Sequence, residues 1–100
     1  MRTALSIAEE LIDKYNGEWV SKRDGFVMVK ISKDGEEMIV WIRQTPITSR
    51  ALKLAKKIAG RYSVDKKILL KLYDYADYVS TKEIEERFEI VRGLGSFLRS

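Results

Sequence analysis

Residues 24–49 read DGFVMVKISKDGEEMIVWIRQTPITS and contain two strand patterns, a turn and the start of a helix. Branched and aromatic side chains predict strands over residues 26–31 and 38–43. The sequence Lys33-Asp34-Gly35 between them predicts a tight hairpin turn, because Asp and Gly both tolerate a positive φ. Pro46 ends the second strand and Thr48 is suited to cap a helix. This stretch therefore predicts an antiparallel hairpin that leads into a helix.

The residues before this stretch predict a helix followed by an edge strand. Apolar residues recur at helical spacing over residues 4–15, and Thr3 or Ser6 can cap the helix, with Ser6 and Glu9 as a possible capping box. Asn16-Gly17 is suited to end the helix, since both residues tolerate the left-handed conformation. Residues 18–23 then form a short strand that joins the hairpin as an antiparallel meander.

The residues after this stretch predict helices that alternate with strands. The helix capped by Thr48 runs to about Ala59, with an outer face of Arg50, Lys53 and Lys57. Its predicted buried stripe consists of Ala51, Leu54, Ala55 and Ile58. A buried strand over residues 67–72, a helix over 81–87, a strand over 88–91 and a tail helix follow. The element order α-β-β-β-α-β-α-β-α predicts an α/β fold, with a mixed sheet flanked by helices.

Length and composition limit the functional classes. One hundred residues suffice for a single domain, here residues 1–100, and the chain contains neither cysteine nor histidine. Disulfides, thiolate metal sites, the usual zinc ligands and the commonest general base are therefore excluded. No apolar run is long enough to span a bilayer and no signal-peptide pattern is present, so we expect a cytoplasmic protein without a membrane partner.

Positive charge is concentrated in one part of the chain. Residues 43–71 contain nine basic side chains and one acid, Asp65, so this segment carries +8 and the other residues sum to −4. Such segregation can create a local positive field despite the modest net charge. The same lysines can also simply solvate a helix face, and the sequence leaves both interpretations open.

The element order and several local motifs resemble the PD-(D/E)xK, or restriction-endonuclease-like, superfamily. The similarity is to its Mrr-type branch and to the archaeal Holliday junction resolvases. Asp24-Gly25 stands at the Asp-Gly step of these proteins, and Pro46-Ile47-Thr48 resembles the start of their following helix. The strand around Ile68-Leu69-Leu70 and the strand 88–91 before Gly93 also fit. The resemblance implies a restriction-endonuclease-like mixed sheet.

The catalytic positions of these nucleases are not retained. On this alignment Met28 replaces the metal-binding Asp, Trp41 the Gln or Glu, and Arg43 the Lys. Mg²⁺ prefers oxygen ligands, which Met and Trp cannot supply. The resemblance therefore implies a nuclease-like domain without catalytic residues, metal or cofactor. Met28 and Trp41 can either line an open basic cleft or be ordinary core residues beneath a helix.

Three functions follow as hypotheses. The first is nucleic-acid binding, with DNA favoured, in which basic residues contact phosphates and an exposed Trp41 stacks on an unpaired base. Its predicted contact residues are Lys30, Trp41, Arg43, Arg50, Lys53 and Lys57.

The second hypothesis is a protein-interaction or structural subunit, either a homodimer or the partner of an active nuclease. Tyr73, Tyr75 and Tyr78 are suggestive of an interface, because tyrosine is enriched there. The third is a divergent metal-dependent nuclease whose site has moved. The acids available for such a site are Glu9, Glu10, Asp24, Asp34, Glu36 and Glu37.

Overall fold

The computed structural model describes residues 2–23 and 25–100. The helices within these residues are α1 (Ala4–Tyr15), α2 (Ser49–Ala59), α3 (Thr81–Glu85) and α4 (Leu94–Arg99). The strands are β1 (Glu18–Arg23), β2 (Phe26–Lys33), β3 (Glu36–Arg43), β4 (Lys66–Lys71) and β5 (Glu89–Arg92). Asp24, part of the predicted Asp-Gly step, lies outside the described residues.

The five strands form one mixed sheet in the order β1-β2-β3-β4-β5. β1, β2 and β3 pair as an antiparallel meander, whereas β3, β4 and β5 pair in parallel. The predicted α/β class and the mixed sheet are therefore confirmed. Parallel neighbours need a crossover connection, which α2 and α3 provide.

Each face of the sheet is covered by its own apolar cluster. α1 and α4 contribute Ile7, Leu11 and Phe97 to the cluster on one face. α2 and α3 contribute Leu52 and Ile84 to the cluster on the other. Both faces are thus closed, and solvent reaches the sheet chiefly at its edges and at the strand ends.

The β2–β3 hairpin is confirmed, and its ladder is longer than predicted. Lys33 pairs with Glu36, so the two strands continue up to the turn itself. Asp34 and Gly35 have φ values of 53° and 80°, as a tight hairpin turn requires.

Local signals at the helix ends were only partly correct. Thr3 caps α1, and the capping box joins Thr3 to Ser6 rather than Ser6 to Glu9. Thr48 caps α2 and the helix ends at Ala59, as predicted. The buried stripe of α2 is centred on Leu52, Ala55 and Ala59. The predicted stripe shares Ala55 with it, whereas Ala51, Leu54 and Ile58 are only partly buried against the same cluster.

Candidate functional site

Met28 and Trp41 are core residues and do not line a cleft. They are direct partners across the β2–β3 ladder, and both side chains are 0% exposed. The Trp41 ring packs between Phe26 and Phe88, at centroid distances of 5.9 and 5.4 Å. The prediction that Trp41 stacks on a nucleic-acid base is therefore wrong, since α2 covers this face of the sheet.

Three of the acids that could have formed a relocated metal site are engaged in ion pairs. Asp34 pairs with Lys33 at 3.0 Å, and Glu36 pairs with Lys66 at 3.2 Å, which raises the pKa of that lysine. Glu10 lies on α1 and pairs with Arg2 at 2.7 Å. Within residues 2–23 and 25–100, no three Asp, Glu, His or Cys side chains are grouped so that they could hold a metal ion.

Arg43 joins three backbone segments through its guanidinium group. Its Nη1 donates to Gly25 O at 2.7 Å, its Nη2 to Pro46 O at 3.0 Å and its Nε to Thr45 O at 3.3 Å. The end of β3 is thereby tied to the β1–β2 turn and to the segment that leads into α2. A guanidinium suits this position because it presents several donors in a fixed plane.

The pKa of Arg43 is lowered by burial, and the negative charge of Asp77 partly offsets this effect. The group stays protonated, since arginine is not deprotonated in proteins. Of its five N–H groups, three bind carbonyls, which leaves two for other partners. Arg43 thus has a structural role that sequence reasoning missed, and its contact with a phosphate stays a prediction.

The outer side of α2 carries only positive charge. Arg50, Lys53 and Lys57 are exposed at offsets of three and seven residues, which places them on one face of the helix, and the exposed Arg61 follows in the next turn. α2 contains no acidic residue. Among the described residues, none of these four side chains forms an ion pair. We call Arg50, Lys53, Lys57 and Arg61 the basic face.

A groove borders the first turn of α2. Its volume is about 250 Å³ and Arg23, Arg43 and Arg50 are among its lining residues. Arg23 was not predicted as a site residue, although its position at the end of β1, directly before the Asp-Gly step, was a usable signal. Three arginines therefore line this groove where the basic face begins.

Lys30 does not join this groove. It pairs with Ile39 on β3, four residues before Arg43. At the rise of a β-strand this separates Lys30 from Arg43 by about 13 Å along the sheet. Lys30 is half-buried and lines a separate pocket together with Tyr15 and Glu18.

A buried ion pair lies at the carboxyl end of β4. Lys71 Nζ is 2.7 Å from Asp77 Oδ2, with side-chain exposures of 5% and 11%. Asp77 Oδ1 accepts a hydrogen bond from the Ile47 N–H at 2.8 Å, and the Tyr78 N–H donates to Ile47 O at 2.9 Å. Lys71 was counted with the basic segment, but its charge is internal to the fold.

The three predicted tyrosines do not share one environment. Tyr73 is half-buried and donates a hydrogen bond to Arg2 O at 2.8 Å, and its ring lies 6.0 Å from that of Tyr75. Tyr75 and Tyr78 are exposed.

Comparison with known proteins adds no relative. The chain matches no family model, no curated protein and no solved structure. Among the described residues, no helix combines the length and the apolar character needed to cross a membrane.

Proposed function

We propose that this chain binds nucleic acid, with DNA favoured, through the basic face and the groove beside it. The observation that carries the proposal is the uninterrupted positive charge of α2. Four exposed cations follow one another along the basic face, and α2 offers no acid to neutralise them. Such a surface neutralises phosphates and releases their counterions.

The position of Arg50 supports a role outside the fold itself. Arg50 lies in the first turn of α2, where the helix dipole favours negative side chains and disfavours cations. Its charge therefore does not help to stabilise the helix. A phosphate bound beside Arg50 would offset this unfavourable interaction, because the helix dipole and the guanidinium both attract the anion.

We further propose that the scaffold is restriction-endonuclease-like and holds nucleic acid without cutting it. The order of helices and strands supports this proposal, together with the segment Pro46-Ile47-Thr48 that leads into α2. At the positions that correspond to the metal ligands, Met28 and Trp41 supply only buried side chains without oxygen. Among the residues that the structure describes, the acids form no metal-binding group that would support the divergent-nuclease hypothesis.

Fluorescence anisotropy with labelled DNA in a salt series tests the proposal. We expect log Kd to rise linearly with log salt concentration, with a slope of about 0.9 per phosphate contact on duplex DNA. The double variant Lys53→Glu/Lys57→Glu should weaken binding by about tenfold or more and reduce this slope by about 2.

A matched control reverses two charges on the opposite side of the sheet. Lys14 on α1 and Arg99 on α4 are both exposed, so Lys14→Glu/Arg99→Glu changes the net charge equally. Equal weakening by the two double variants would show that only net charge matters. Binding that is absent at low salt, or indifferent to salt, would contradict the proposed function.

A further inference from the structure

Tyr78 is the most exposed large hydrophobic side chain among the described residues. Its exposed fraction is 78%, against 44% for Tyr75 and 36% for Leu98. A ring that is left in water contributes little to the stability of the fold. Its role must therefore be inferred from the residues around it.

The backbone that carries this ring is firmly held. The Tyr78 N–H binds Ile47 O at 2.9 Å, and the preceding Asp77 accepts from Ile47 N and pairs with the buried Lys71. Lys71 Nζ also donates to Tyr75 O at 3.2 Å. The loop between β4 and α3 is thus bound to the segment before α2. Binding through Tyr78 would then require ordering of only its own side-chain torsions.

The same segment connects Tyr78 to the start of α2. Ile47 directly precedes Thr48, the N-cap of α2, and Arg50 lies three residues after Ile47. Arg43 donates to the adjacent carbonyl, Pro46 O, at 3.0 Å. Hydrogen bonds therefore hold the backbone of Tyr78 and the side chain of Arg43 to the same short segment, directly before α2 and Arg50.

We propose that Tyr78 stacks on an unpaired base, so that the ligand of the basic face is a single-stranded segment of nucleic acid. This inference rests on the proposed function. Single-strand binding combines a cationic path for the backbone with aromatic rings for the bases. In a duplex the base faces are stacked on one another, and a ring at the surface has no free face to contact. Tyr78 supplies the aromatic contact that the enclosed Trp41 cannot make.

The test compares a labelled single-stranded DNA of about 15 nucleotides with its duplex, by anisotropy at one salt concentration. Tyr78→Ala should weaken single-strand binding by about 10- to 100-fold and leave duplex binding within about twofold. Tyr78→Phe retains the ring and should bind the single strand as the unchanged protein does. Tyr75→Ala removes another exposed tyrosine of the same loop and should change neither affinity. The urea midpoint of each variant shows that the fold is retained.

The outcomes separate this inference from the proposed function. The stacking role is wrong if Tyr78→Ala leaves single-strand binding unchanged, or if it weakens binding of the single strand and of the duplex equally. The basic face is still supported in that case, provided that Lys53→Glu/Lys57→Glu loses affinity. If Tyr78→Ala instead reduces the solution mass of the protein without altering single-strand binding, Tyr78 belongs to a protein interface and the inference is overturned.

Discussion

Arg43 and Tyr78 donate hydrogen bonds to the backbone carbonyl oxygens of two consecutive residues, Pro46 and Ile47. Arg43 ends β3, whereas Tyr78 belongs to the loop that follows β4. The short connection into α2 is therefore held by two separate parts of the chain. Because α2 carries the basic face, the placement of its cations depends on both contacts.

Replacing Arg43 should reveal its structural role. We expect Arg43→Met to lower the free energy of unfolding by about 2 kcal/mol, because three hydrogen bonds from a charged, half-buried group are lost. Arg43→Lys should restore less than half of this, since a single ammonium cannot reproduce the planar fork. Urea denaturation measures both changes. Arg50 is exposed and serves as the control, so Arg50→Met should change the free energy of unfolding by less than about 0.5 kcal/mol. Equal losses in the two Met variants would contradict the structural role of Arg43.

The Lys71–Asp77 pair should be costly to break from one side. Asp77→Ala leaves the buried Lys71 ammonium without its carboxylate, and we expect a loss of about 3–5 kcal/mol. The double variant Lys71→Met/Asp77→Ala should lose less than Asp77→Ala alone, because no charge is stranded. The exposed Asp74, 3.5 Å from Arg92, provides the control, and Asp74→Ala should cost less than about 0.5 kcal/mol. A double variant that is less stable than Asp77→Ala would contradict this account.

Placing carboxylates at Met28 and Trp41, the positions that the proposed nuclease-like alignment assigns to metal ligands, should not create a nuclease. Met28→Asp/Trp41→Glu places two carboxyl groups in a dry apolar cluster, and we expect the domain to unfold. Far-UV circular dichroism and thermal melting detect this directly. Trp41→Phe keeps an aromatic ring and should remain folded, with a loss of about 1–2 kcal/mol. A folded double variant would show that this face opens more readily than its packing indicates.

Gly17 should be intolerant of a side chain for a steric reason. A Cβ at this position would lie 2.6 Å from Ile31 Cγ2 and 2.7 Å from Lys30 O. We expect Gly17→Ala to cost about 2 kcal/mol or more, since backbone must move to admit the methyl group. Gly25→Ala, where φ is +79° and no atom beyond the two adjacent residues lies within 4 Å of the added Cβ, should cost about 1 kcal/mol. Thermal denaturation ranks the two variants, and the reverse order would contradict the steric account.

Local chemistry predicted most of the secondary structure. The Asp34-Gly35 turn and the Thr48 cap depend on neighbouring residues alone, and both were found as predicted. Asn16-Gly17 was correctly placed at the end of α1, but only Asn16 adopts the left-handed conformation. Position 17 requires a glycine because the chain passes close to β2 there. This tertiary contact cannot be predicted from the neighbouring residues in the sequence.

The candidate site was harder to predict because burial is decided by distant contacts. Alternation along β3 places Trp41 on the same face as Arg43, but it does not say that α2 closes this face. The internal charge of Lys71 depends on Asp77, whose second oxygen binds the Ile47 N–H thirty residues away in sequence. The Tyr78 N–H binds Ile47 O, so the position of this residue near α2 also depends on a contact that is distant in sequence. These relationships become visible only when the loop and the β3–α2 connection are seen together.

The enclosure of Trp41 determines what the intrinsic fluorescence of this protein reports. The chain has two tryptophans, and Trp19 is half-buried on β1 with Lys22 Nζ 5.0 Å from its ring centroid. Trp41 is shielded from water and from any ligand on the outer side of α2. Its emission is therefore that of an indole in an apolar medium, and it shifts to longer wavelength when the core opens. The fluorescence of Trp41 therefore reports on folding, and a nucleic acid bound to the basic face should not quench it.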